Sequence, residues 1–147
     1  MKIFFYIFLI IFFLFEISIS QEKSYFLSLK HNKVNVRYGP DLNSPIKYIY
    51  KKKNLPVKII DKKENFRRIV DFKKNSGWVH ISQLKKKGSI ILLKDKILFS
   101  KPTIYSKPII KIKTGRLLIV KKCQKTWCNV ITENYLGWLK TDNVWGQ

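Results

Sequence analysis

The residues that could carry chemistry are few: Cys123 and Cys128, His31 and His80, nine scattered carboxylates, and a recurring set of aromatics. The two thiols have four residues between them, Gln124-Lys125-Thr126-Trp127, and each ends an expected strand. In an oxidising compartment a disulfide is the default, clamping the mouth of a hairpin. Closing a loop of roughly six residues stabilises by about 2 kcal/mol in the chain-entropy model. A redox or metal role is the alternative, but two thiols with no third ligand nearby make a poor zinc site. A Cys–His hydrolase needs a free thiolate beside a base. Asp41, Asp61, Glu64, Asp71, Asp95, Glu133 and Asp142 fall in expected turns or at strand ends, where solvated carboxylates are ordinary. No G-x-S-x-G, H-E-x-x-H or phosphate-cradling glycine loop occurs. The expectation is a non-catalytic binding protein with no cofactor and no metal.

For binding, the candidates are Asn35, Arg37, Tyr38 and Trp78. Lys33-Val34-Asn35-Val36-Arg37 alternates polar and apolar, so a strand here turns Val34 and Val36 inward and Asn35 and Arg37 outward. Tyr38 stands at the mouth of a loop of turn formers, Gly39-Pro40-Asp41 through Ser44-Pro45. A guanidinium beside aromatics suits a carboxylate-bearing peptide, because it binds carboxylate in bidentate fashion. Against this, Arg37 could instead pair with Asp71 or cap a turn. Trp78 and Trp138 have a bland reading as packing residues and a functional one with a ring face open for stacking.

The elements that position these residues come twice. Asn65-Phe66-Arg67-Arg68-Ile69-Val70, a turn, then Gly77-Trp78-Val79-His80 is repeated by Thr126-Trp127-Cys128-Asn129-Val130-Ile131, a turn, then Gly137-Trp138-Leu139-Lys140. Val36-Arg37-Tyr38-Gly39-Pro40 is echoed by Leu98-Phe99-Ser100-Lys101-Pro102. A period near 60 residues is too long for a solenoid and suits a small all-β domain in tandem. Short strands are expected at 46–50, 55–60, 66–70 and 78–79, followed by a short 3₁₀-like turn at 80–84. The second half repeats them at 90–93, 97–99, 109–112, 117–123, 127–131 and 135–139. The expected fold is all-β, two tandem small partly open β-barrels. The expected division is 1–20 signal peptide, 21–87 first domain and 88–147 second domain. Lys85-Lys86-Lys87-Gly88 is too short for a flexible linker, so the halves should touch.

Lys2, then thirteen unbroken apolar residues from Ile3 to Phe15, then Ser18-Ile19-Ser20 reads as a secretory signal with Gln21 the mature start. As a helix those residues span about 20 Å, short of a bilayer core of roughly 30 Å. An uncleaved anchor extending through Ile17 and Ile19 is the alternative. The net charge of +21 suggests a polyanionic partner. The absence of alanine and the abundance of Lys, Ile, Asn and Phe fit AT-rich coding equally well. Lysine runs at 51–53, 62–63, 73–74, 85–87 and 121–122 recur at turns, where charge is usually just solvated. An exported protein has little access to nucleic acid.

Val34-Asn35-Val36-Arg37-Tyr38-Gly39-Pro40, the Ser44-Pro45-Ile46 loop, the strand at Val57–Ile60 and Gly77-Trp78-Val79-His80 resemble the bacterial SH3-like domain. The whole mature chain, with the Cys123…Trp127-Cys128 hairpin and terminal Val144-Trp145-Gly146, looks like a family of small exported tandem SH3-like proteins of Gram-negative bacteria. The second half departs from the pattern, having Ile97-Leu98-Phe99 for the Asn-Val-Arg triplet and Lys101-Pro102 for Gly39-Pro40. Binding carried over from the opening motif therefore attaches to the first half. The resemblance implies a non-catalytic, periplasmic or envelope-associated module, because relatives are often joined to cell-wall hydrolases and are thought to hold peptidoglycan or short peptides. The expected partners are a cell-wall peptide or glycan, or a protein, and the expected form is a monomer. The alternative is a basic envelope protein held electrostatically on anionic polymer or lipid.

Overall fold

A computed structural model describes residues 24–86 and 88–146, so the expected secretory segment lies outside the described residues. The first half contains β1 (Tyr25–Leu29), β2 (Val34–Arg37), β3 (Ile46–Tyr50), β4 (Pro56–Lys63), β5 (Phe66–Val70), β6 (Ser76–His80), a 3₁₀ turn (Ile81–Gln83) and β7 (Leu84–Lys85). The second contains β8 (Ser89–Leu92), β9 (Lys96–Phe99), β10 (Pro108–Ile112), β11 (Leu117–Gln124), β12 (Trp127–Thr132), β13 (Tyr135–Lys140) and β14 (Val144–Trp145). Each half is one antiparallel sheet, ordered β3-β2-β6-β5-β4-β1-β7 and β10-β9-β13-β12-β11-β8-β14. Shifting every label by seven converts one order into the other. The duplication visible in the sequence is therefore a duplication of topology. β1 and β7, unassigned from sequence, form the edge that faces the other half.

The expected barrels are not closed. β7 has two residues and pairs with β1, and β3 pairs with β2, and among the described residues no ladder joins the two edges. Each sheet is open.

Alternation builds the core. Val34, Val36, Val57, Ile69 and Val79 are buried in the first half; Ile90, Leu98, Leu118, Val130 and Leu139 are buried in the second. The repeated glycine before tryptophan has a packing reason. A Cβ on Gly77 would collide with Val36 and sit 3.0 Å from the Arg37 carbonyl oxygen; on Gly137 it would sit 2.8 Å from that of Phe99. Only glycine lets β2 and β9 cross so close to β6 and β13. Both long hairpins also slip register at the same place, between Ile59 and Asp61 and between Val120 and Lys122. Such bulges bend a strand and increase its twist.

Two features distinguish the copies. In the first, buried Asp71 accepts hydrogen bonds from Tyr50 Oη at 2.8 Å, from the Lys73 and Asn75 amides at 2.9 Å, and from Asn75 Nδ2 at 2.9 Å. Burial, together with Tyr48 and Asp71, pushes the Tyr50 phenol well above its ordinary range. In the second, Lys96 begins β9 where Val34 begins β2; its nearly buried side chain, 11% exposed, reaches Asp142 at 3.0 Å.

The halves touch, as the short connection requires. Ile91, Leu117 and Trp145 of the second half pack on the core cluster of the first. Ser28 and Ser89 share a buried hydrogen bond of 2.7 Å, and Ser89 Oγ donates to the Asn54 carbonyl at 2.6 Å. Trp145 Nε1 donates to the Pro56 carbonyl at 3.1 Å, and its ring meets Phe26 edge to face at 5.2 Å.

Candidate functional site

The outward residues of β2, β5 and β6 lie in cross-strand rows. Trp78 is opposite Arg37 on one side and Arg68 on the other, and His80 is opposite Phe66. Asn35 and Arg37 open onto a cleft of about 370 Å³ that Lys33, Leu42, His80, Ser82 and Gln83 complete. No acidic residue lines it, so Lys33 and Arg37 make it cationic. Arg37 Nη1 donates to the Ser44 carbonyl at 2.7 Å, which fixes the 39–45 loop and aims the guanidinium. The turn-capping alternative for Arg37 therefore holds, and pairing with Asp71 does not. A guanidinium has five N–H donors, so one loop contact leaves others for a ligand.

His80 is oriented from two sides. Its ring meets Phe66 edge to face at 5.2 Å, and its Nδ1 lies 2.7 Å from Ser82 Oγ and accepts from the Ser82 amide at 3.3 Å. With Nδ1 accepting, the neutral ring carries its proton on Nε2.

Two of the four sequence candidates stand apart from this cleft. Tyr38 is 65% exposed beside it, with Lys47 Nζ 5.6 Å from its ring centre. Trp78 is half-buried, packed between arginine positions on the sheet face, and does not line the cleft. Conversely, His80, Ser82, Gln83, Lys33 and Leu42 were not selected from sequence. His80 was the findable one: it follows Trp78 by two residues on the same strand and so shares its face.

The second half builds the equivalent face from different atoms. Phe99 is opposite Trp138 as Arg37 is opposite Trp78, and Trp127 is opposite Lys140 as Phe66 is opposite His80. Phe99 and Trp127 meet edge to face at 5.9 Å, placing aromatic surface where the first half has a guanidinium. Cys123 and Cys128 are directly opposite each other on β11 and β12, Cα atoms 4.1 Å apart, and are joined as a disulfide.

A larger cleft of about 530 Å³ runs between the halves, walled by Lys52 from the first and residues 110–116 and 132–135 from the second. Its charges are largely matched internally. Lys111 and Lys113 reach Asp95 at 3.6 and 3.1 Å, and Arg116 reaches Glu133 at 3.6 Å. The Thr114 amide and Lys113 hold the Asp95 carboxyl below its ordinary range. Among the described residues no group of three His, Cys, Asp or Glu side chains is placed to hold a metal.

Residues 30–86 and 95–146 each match the family described as bacterial SH3 domain. The chain belongs to the bacterial SH3 domain family. It carries two such domains in tandem, and the resemblance noted in the first half extends to the second despite its altered opening motif. Solved structures similar to it include NlpC2 from Trichomonas vaginalis, at 15% identity over 86% of this chain and 49% of that one, TM-score 0.39. NlpC1 from the same organism is 14% identical over 86% and 47%, TM-score 0.39. An NlpC/P60 family protein from Bacillus cereus ATCC 10987 is 12% identical over 83% and 56%, TM-score 0.37. The chain spans about half the length of these structures. No curated protein matches it.

Proposed function

We propose that this protein is a non-catalytic binding module of the bacterial cell envelope, and that its first SH3 domain holds a carboxylate-bearing peptide such as a wall stem peptide. The cleft between β2 and the 3₁₀ turn carries the reading. Lys33 and Arg37 supply positive charge without an acidic neighbour in the lining, Asn35 and Gln83 supply amide donors and acceptors, and Leu42 supplies an apolar wall. A peptide carboxylate matches the guanidinium in charge and geometry. Asn35, Arg37, Tyr38 and Trp78 remain the proposed ligand-binding set, with Tyr38 as an exposed aromatic at the rim and Trp78 as the support behind Arg37. Export from the cytosol fits both the signal-like N-terminal sequence and the disulfide.

Sedimentation with purified sacculi tests this. Retention is expected at low salt and at about 0.5 M salt, where the screening length falls to a few ångströms. Arg37→Ala combined with Lys33→Ala is expected to remove most of the high-salt fraction. Retention only at low salt and insensitive to these substitutions would mean electrostatic attachment through the lysine-rich turns; no retention at either salt would refute both readings.

A further inference from the structure

The outer face of the second domain carries a feature that the peptide cleft does not use. Trp127 and Trp138 project from β12 and β13 on the face opposite the buried Cys128 and Leu139, both half-buried, with Phe99 against Trp127. Lysines lie over both indoles: Lys122 Nζ is 5.6 Å from the Trp138 ring centre and Lys140 Nζ is 5.9 Å from that of Trp127. Gln124 is directly opposite Trp127, and Asn129 opposite Trp138, adding amide groups to the same face. The first domain builds this face differently. The strand position of Trp127 is taken there by Phe66, which is 6% exposed, and that of Phe99 by Arg37.

A second observation concerns stiffness. The tip of the β11–β12 hairpin, residues 121–126, is exposed throughout. The disulfide ties this tip to the core, joining exposed Cys123 to buried Cys128 next to Trp127. The matching β4–β5 hairpin has Lys62 and Arg67 at the places of the two cysteines. Holding a surface in one geometry lowers the ordering cost of binding.

We propose that this face is a second binding site, for an acidic glycan strand, with sugar rings stacked on Trp127 and Trp138 and the sugar carboxylates held by Lys122 and Lys140. The indoles have flat apolar faces for the carbon faces of sugar rings, the amides serve their hydroxyls, and the two lysine side chains that lie over the rings swing aside onto the acid groups when a strand binds. A single-stranded nucleic acid would meet the same stacking and charge chemistry. The disulfide favours the glycan, since it places the domain in an oxidising compartment. The site deepens the envelope-binding reading and rests on it, but uses residues of the other domain.

The test uses tryptophan fluorescence and calorimetry on the full mature chain. The probes are wall glycan strands stripped of peptide, neutral chitotetraose, poly-glutamate and a single-stranded oligonucleotide. Expected are binding of the stripped strands, weaker binding of chitotetraose, at least a tenfold loss of strand affinity in Trp127→Ala, and a loss in Lys122→Gln with Lys140→Gln that leaves the rings and the fold in place. Reduction of the disulfide in the folded protein is expected to weaken strand binding without changing sacculus retention through Arg37. Equal affinity of wild type and both variants for the strands, no strand binding at all, or tighter binding of the oligonucleotide than of the strands would overturn the proposal. If sacculi are retained through Arg37 while stripped strands are ignored, the glycan site fails and the peptide reading stands; if neither binds, the peptide reading fails as well.

Discussion

Arg37 serves structure and recognition together. Its contact with the Ser44 carbonyl orders the loop that borders the cleft, and its side chain also lines that cleft. Arg37→Lys is therefore expected to keep the charge yet lose bidentate geometry, weakening peptide binding about tenfold while shifting stability by less than about 1 kcal/mol, as read by calorimetry and denaturant melts. Asn35 and Arg37 were legible because alternation in a four-residue strand leaves no freedom over which side faces out. Ser82, Gln83 and Leu42 were not, because their place in the cleft depends on how a 3₁₀ turn and a loop approach β2. A different residue shows what duplication tolerates. Lys96 occupies a position that is wholly buried as Val34 in the first domain, and it depends on Asp142 for its charge partner. Lys96, and then Asn143, hold the Asp142 carboxyl below its ordinary range. A lowered folded-state value gives stability that is present above the unfolded value and lost as pH falls through the folded one. Asp142→Asn is thus expected to remove part of the acid-dependent loss of stability, and Lys96→Met to be neutral or stabilising because an ion pair to the exposed Asp142 carboxylate contributes little and the covered lysine stem is replaced by apolar packing. Thermal melts from neutral to acidic pH check both.

At the scale of elements, the paired hairpins decide where function resides. Gly77→Ala is expected to cost about 3 kcal/mol or more, because a Cβ there meets Val36 and the Arg37 carbonyl and so pushes β2 off β6. Peptide binding is expected to fall with stability in that variant, seen as parallel losses in denaturant midpoint and affinity. Cys123→Ser with Cys128→Ser is expected to cost about 2 kcal/mol in the same measurement, the value for closing so short a loop. Asp71→Ala removes the acceptor for one phenol, one side-chain amide and two backbone amides, and is expected to cost about 3 kcal/mol. Most strand positions, the hairpin disulfide and the 3₁₀ turn were readable from turn chemistry and cysteine spacing, but the edge strands β1 and β7 were not. Sheet closure was not. Whether β7 reaches β3 depends on long-range geometry that a two-residue strand does not encode, and the observed sheets stay open.

For the whole molecule, duplication has produced two sheets of one topology with different outer faces, joined over Ser28, Ser89 and Trp145. Sequence pattern alone showed that the halves must touch; it did not show that Ile91 and Trp145 complete the core of the other half. Domains this small bury a modest share of their surface, so the shared core should make unfolding a single transition. Trp145→Ala is expected to cost about 3 kcal/mol and to split that transition in two. The peptide-binding role stands or falls on the first-domain cleft. Sedimentation with purified sacculi at about 0.5 M salt, comparing wild type with the Lys33→Ala, Arg37→Ala pair, measures it most directly. The expected result is wild-type protein in the pellet and most of the variant in the supernatant; equal pelleting of the two, or wild type left in solution, would contradict it.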